Sequence, residues 1–110
     1  MKSVLPVTVD ATKGVEDLKK EITTTLKKAD SGEGVLILTD LFGGTPSNIS
    51  LSFLKKNKVE VVTGVNLPML LKVPDTRGEM KLSEFADSIA EYGKKNIYLA
   101  SAILDRKVED

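Results

Sequence analysis

Four consecutive apolar residues, Val35-Leu36-Ile37-Leu38, stand between Gly34 and the polar pair Thr39-Asp40. A run without alternation suits a strand buried on both faces, as in a parallel sheet, and not a half-wet antiparallel one. Parallel strands require crossover connections, so helices must flank this run. Upstream, Val15, Leu18, Ile22 and Leu26 recur at helical spacing, and Gly32 and Gly34 punctuate the chain after them. Downstream, Gly43-Gly44 makes a turn. Thr45-Pro46 then reads as a helix start, with Thr as N-cap and Pro at the first helical position. This helix is expected to run through Ile49, Phe53 and Leu54 to about Lys56, with Lys55, Lys56 and Lys58 at its negative end.

The remaining segments extend the pattern. Ser3–Val9 reads as a short strand, and Pro6, which cannot donate to a ladder, places it at a sheet edge. Val59–Thr63 is another strand, ended by Gly64. Leu67–Lys72 is apolar and fits helix or strand, and Pro74–Gly78 reads as a loop. Ser83 is expected to cap a helix that carries Phe85, Ala86, Ile89 and Ala90 and that Gly93 closes. Ile97–Ala100 is a final strand. The expected fold is a single α/β domain over residues 1–110: a mainly parallel open sheet covered by helices on both faces.

Composition narrows the function. Sixteen Lys and Arg balance sixteen Asp and Glu, so a nucleic-acid partner, which would ask for a basic excess, is not expected. There is no cysteine, hence no disulfide, thiolate zinc site or thiol nucleophile. There is no histidine either, so a metal would need oxygen ligands, and the commonest general base near neutral pH is missing. No apolar run approaches the about 18 residues of a membrane span. The N-terminus lacks signal-peptide features. A cytoplasmic protein without cofactor or metal is the expectation.

Open parallel sheets bind ligands at the carboxyl ends of their strands, and Asp40–Ser47 lies at such an end. The glycines permit close backbone approach, and a helix beginning at Pro46 would turn its positive end and unpaired N–H groups toward an oxyanion such as phosphate. Thr45, Ser47 and Asn48 offer side-chain donors. Asp40 would repel an anion, but it can orient and charge-stabilise a basic group beside it. A plain connection, with Asp40 capping the turn, explains the same residues equally well. A second segment, Gly64–Met69, also follows a strand. Asn66 can supply polar contacts there, and Leu67, Met69, Leu70 and Leu71 an apolar surface for core or dimer packing. Glu16, Asp17 and the many lysines read as a solvated face.

Two motifs carry a resemblance. Gly34–Ser52 (GVLILTDLFGGTPSNISLS) followed by Val59–Lys72 (VEVVTGVNLPMLLK) strongly resembles the mannose-type IIA component of the bacterial sugar phosphotransferase system, and the likeness spans Ser3 to about Leu104. It implies that a phosphoryl group is taken from the histidine-containing phosphocarrier and passed to a IIB partner. The group travels on a histidine at the end of the family's first strand. It further implies that Asp40 hydrogen-bonds that histidine and that Gly43, Gly44, Thr45 and Ser47 form the phosphate side. Asn66, Leu67, Pro68 and Met69 are the implied partner or dimer surface. The family is a homodimer whose last strand, here Ile97–Ser101, is antiparallel and crosses between protomers. Contact with a membrane would be indirect, through the transporter complex.

The departure from the family matters as much. Its members open with a strand, a Thr-His-Gly-type turn and a helix, and this chain begins after them. The acceptor is absent with them, so the chain as given cannot itself carry a phosphohistidine. In the family that opening strand lies inside the sheet, between the counterparts of Ser3–Val9 and Val35–Thr39. Closing the fold over a gap would leave buried unpaired main-chain groups at roughly 1–3 kcal/mol each. The expected explanations are an N-terminal truncation, a Ser3–Val9 strand that moves inward to pair with Val35–Thr39, or a strand donated by a partner chain. Functionally, a phosphotransfer component contrasts with a non-catalytic remnant that binds the IIB partner or a regulator, and with an unrelated phosphate-ligand module.

Overall fold

The computed structural model describes residues 5–7, 14–40, 45–76 and 80–109. The apolar run forms β1 (Val35–Leu38), and Val59–Val62 forms β2. They pair in parallel, Val35 opposite Val59 and Leu38 opposite Val62, but every residue of both strands is half-buried rather than buried on both faces. Around them stand α1 (Val15–Ala29), α2 (Thr45–Leu51), α3 (Leu67–Thr76), α4 (Leu82–Lys95) and α5 (Ala100–Glu109). The architecture is α/β, with a small parallel sheet among the described residues.

Each long helix follows from its apolar stripe. In α1, Leu18 and Ile22 are buried, Glu16 and Asp17 sit in the first turn, and Lys27 and Lys28 in the last, both favourable to the helix dipole. Three successive threonines, poor helix formers, return their hydroxyls to carbonyls one turn back: Thr23 to Lys19, Thr24 to Lys20 and Thr25 to Glu21. In α4, Ala86, Ile89 and Gly93 share the buried face. The Glu84 carboxylate accepts the Lys81 backbone N–H at 3.2 Å and so closes the N-terminus from inside the first turn.

The core is in two pieces. Met69, Val73 and Ile89 pack with Leu36, Leu38, Val62, Val65 and Phe85, joining the sheet to α3 and α4. Leu18, Ile22 and Ile49 pack with Val7, Leu26 and Phe53, joining α1 to α2. A groove of about 860 Å³ separates the two, walled by Ile22 and Leu26 on one side and by Val73 and Phe85 on the other. The radius of gyration, 16.4 Å, exceeds the about 13 Å typical of this chain length.

Several sequence expectations are corrected. The strand over Ser3–Val9 is not formed where it is described: Leu5–Val7 is irregular and pairs with no strand, the rest lying outside the described residues. Pro6 has no N–H to offer a ladder, and Val7 is drawn instead onto Leu18, Ile22 and Ile49. This segment therefore does not re-pair with Val35–Thr39. A groove runs along β1 at this place instead. The C-terminal strand over Ile97–Ser101 is also absent. Ile97–Leu99 is irregular and Ala100 begins α5; among the described residues no strand pairs with this segment to supply a ladder.

The helix from Thr45 stops at Leu51 and not near Lys56. Tight bonds from Ser52 to Ile49, Phe53 to Ser50 and Leu54 to Leu51 wind it into a turn, and Lys55 then pairs with Val59 to start β2. The ambiguous segment is helix α3. It passes through Pro74, whose missing N–H costs one bond near the helix end, since Met69 and Val73 are held four residues apart in the core. Ser83 lies within the first turn of α4, and Gly93 is inside that helix, two residues before its end.

Candidate functional site

Parallel pairing brings the carboxyl ends of β1 and β2 to the same end of the sheet. The pairing continues past β1: the Thr39 N–H donates to the Val62 carbonyl at 3.0 Å, and the Val65 N–H donates to the Thr39 carbonyl at 2.9 Å. Thr39 is thereby buried and Asp40, the next residue, is exposed at the sheet's edge. An exposed carboxylate fixed by its backbone in this way can accept a hydrogen bond from a protonated base and stabilise its charge. Gly43 and Gly44 lie outside the described residues. Thr45 and Ser47 fall in the first turn of α2, with side chains outside the described set. Farther along α2, Ile49 and Ser50 are buried.

The second expected segment divides. Asn66 stands before α3 as its N-cap: its Oδ1 accepts the Met69 N–H at 3.2 Å. Its Nδ2 also donates to the Gly93 carbonyl at 3.1 Å, tying α3 to the end of α4. Met69 is 2% exposed and packs against Gly93. Pro68 is half-buried, and Leu67 is 66% exposed. Of the four residues, Leu67 therefore presents the most surface to a partner, with Leu71, 67% exposed, one turn away.

Two features escaped sequence reading. The Thr39 hydroxyl is buried without a hydrogen-bond partner among the described residues, which no pattern in the chain signals. The Asn66 cap was legible in principle, since Asn before an apolar helical run with an early Pro is a helix-start signature. Among the described residues, no cluster of three or more acidic side chains could hold a metal ion. No helix among them is long and apolar enough to cross a membrane.

Residues 1–90 match the family described as PTS system fructose IIA component. The chain belongs to that family. This IIA chain is 30% identical over 94 residues to the fructose-specific EIIA component of Bacillus subtilis, covering 84% of this chain and 64% of the relative. It is 34% identical over 85 residues to the sorbose-specific EIIA component of Lacticaseibacillus casei, covering 76% of this chain and 61% of that one. It therefore spans less than two thirds of the length of either relative. Its fold is similar to the crystal structure of a phosphotransferase system EIIA component from Streptococcus agalactiae. The TM-score is 0.71 at 25% identity, over 84% of this chain and 72% of the other.

Proposed function

We propose that this IIA chain serves the phosphoryl relay of a cytoplasmic sugar phosphotransferase system, between a histidine-containing phosphocarrier and a IIB component. The observation that carries the reading is Asp40, exposed at the carboxyl end of a parallel strand in a chain that matches the family over residues 1–90. Asp40 orients an acceptor imidazole, and the Gly43, Gly44, Thr45 and Ser47 turn faces the phosphoryl oxygens. The 110 residues contain no histidine, so that imidazole comes from outside them, on a longer form of the chain or on another chain. Leu67, Pro68 and Leu71 form the apolar side that meets a partner, with Asn66 and Met69 holding it from within. Exposed Ile97, Tyr98 and Leu99 support a homodimer built through the C-terminal segment.

Two measurements test this. The intact mass of the protein from its native cells shows whether the cellular form carries a histidine. Incubation of that form with the phosphorylated carrier should then add one phosphoryl group, and Asp40→Asn should slow its transfer to a IIB component. A second reading rests on the missing histidine: a module that binds the IIB component without being phosphorylated. Saturable IIB binding by a 110-residue cellular form that takes up no label would favour it over the relay.

A further inference from the structure

Opposite the carboxyl end that carries Asp40, the sheet has an amino end where three segments converge on Gly34. Asp30, just after α1, turns its carboxylate onto the Gly32 and Gly34 N–H groups at 2.8 and 3.2 Å. The Val35 N–H donates to the Lys58 carbonyl at 2.9 Å. A Cβ at Gly34 would touch Leu82, the first residue of α4. Leu26 of α1 and Phe53 pack against the same buried residues. The end of α1, the turn before β2 and the start of α4 are thereby gathered at one end of the molecule.

Six lysines stand there: Lys27 and Lys28 in the last turn of α1, Lys55, Lys56 and Lys58 in the turn, and Lys81 ahead of α4. All are exposed, and among the described residues none of the six is held in an ion pair. The carboxylates at this end are Asp30, Glu33 and Glu84, so cations exceed anions. Glu60 and Asp87 lie to the side, lining a hollow with Ser83. The chain as a whole has no net charge, so this excess is a polarisation of the molecule and not a general basicity. The helix dipole favours Lys27 and Lys28. It does not account for Lys55, Lys56 and Lys58, which lie beyond the end of α2, and it opposes Lys81 at the start of α4.

We propose that the amino end of the sheet is a peripheral docking face for an anionic lipid bilayer surface. All six cations are lysines. Ammonium groups on flexible stems act as point charges and lack the planar fork that pairs carboxylates at fixed geometry, so they suit a diffuse negative surface better than a shaped acidic partner. Clusters of this size are attracted to anionic headgroups in that way. Leu54, exposed beside Lys55, adds an apolar side chain of the kind that enters a headgroup layer. Docking by this end turns Asp40, at the other end of the sheet, toward the aqueous side. The inference rests on the lysines alone and stands whether or not the chain takes part in phosphoryl relay.

The test is co-sedimentation of the full chain with vesicles of phosphatidylglycerol and phosphatidylcholine in equal parts, at low salt. Binding is expected to these vesicles, not to pure phosphatidylcholine, and should vanish near about 0.5 M salt. A lysine near such a surface contributes about fivefold in affinity. The double variant Lys55→Gln, Lys56→Gln should therefore bind about twentyfold more weakly, and Lys27→Gln, Lys28→Gln comparably. The control pair, Lys94→Gln with Lys95→Gln, removes the same charge from the end of α4, beside Gly93 at the other end of the sheet, and should leave binding nearly unchanged. Absence of binding to anionic vesicles by a chain with intact circular dichroism would overturn the proposal. Equal weakening by all three pairs would do so too, since only net charge would then matter. So would tighter binding to soluble polyglutamate than to the vesicles, which would assign the face to an acidic polypeptide.

Discussion

Replacing Asn66 by Ala removes two interactions that the structure separates cleanly. One is the cap on α3, Oδ1 accepting the Met69 N–H, a type of bond whose loss costs about 1 kcal/mol. The other is the tertiary bond from Nδ2 to the Gly93 carbonyl, a neutral pair worth about 1 kcal/mol. Their sum is about 2 kcal/mol, a sizeable part of the roughly 5–15 kcal/mol that holds a domain. With a urea slope of about 2 kcal/mol per molar, the midpoint should fall by about 1 M. Asn66→Ser keeps a capping oxygen and loses only the reach to Gly93, so it should fall by about half as much. Urea titrations of the three proteins, followed by far-UV circular dichroism, decide the matter. If Ser is as damaging as Ala, the cap contributes nothing. If Ala lies within about 0.3 kcal/mol of the parent, far below the cost of even one lost bond, neither bond exists in solution and the reasoning fails.

Further outcomes are expected at other positions. Gly34 has φ +93°, and an added Cβ would come within 2.8 Å of Leu82 Cδ2 and 2.9 Å of the Lys58 carbonyl, whereas Gly32, at φ +100°, has open space around it. Gly32→Ala should cost about 1–2 kcal/mol for backbone strain alone, and Gly34→Ala distinctly more by thermal melting; equal costs would refute the steric account. The Thr39 hydroxyl is buried and unpartnered, so Thr39→Val should leave stability unchanged or raise it by about 1 kcal/mol, and a clear loss would reveal a partner. A Cβ at Gly93 would overlap the buried Met69 side chain. Gly93→Ala should therefore destabilise by roughly 1–2 kcal/mol despite its helix preference, and Met69→Ala should be less costly in that background than in the parent.

What the sequence made legible was what local pattern alone determines. Val35–Leu38 is a strand because a continuous apolar run of four has few other uses, and Val59–Val62 is one because three of its four residues are β-branched valines, with Glu60 between them. Helices α1 and α4 declare themselves through Leu18 and Ile22, and through Ala86 and Ile89, at helical spacing. Leu67–Thr76 was harder, because its helical state depends on Met69 and Val73 reaching the core, a tertiary effect strong enough to carry the helix through Pro74. Ile97–Ser101 was misread for the converse reason. An apolar run is only a candidate strand until an edge pairs with it, and among the described residues none does. At the site, Asp40 was placed correctly at a strand's carboxyl end. The inward turn of Asn66 and Met69 was invisible, since it is fixed by Gly93, twenty-seven residues beyond Asn66.

The division of the core has a consequence for how the molecule comes apart. A domain of this size ordinarily unfolds as one cooperative unit. Here one unit is centred on Met69, Val73 and Ile89 with the sheet, and another on Leu18, Ile22 and Ile49. The groove leaves little apolar contact to couple them. Amides of α1 should then exchange through an opening of lower free energy than those of β1, β2 and α4, as separate foldons do. Cooperativity of unfolding is thus a direct reporter of how strongly the two units are coupled.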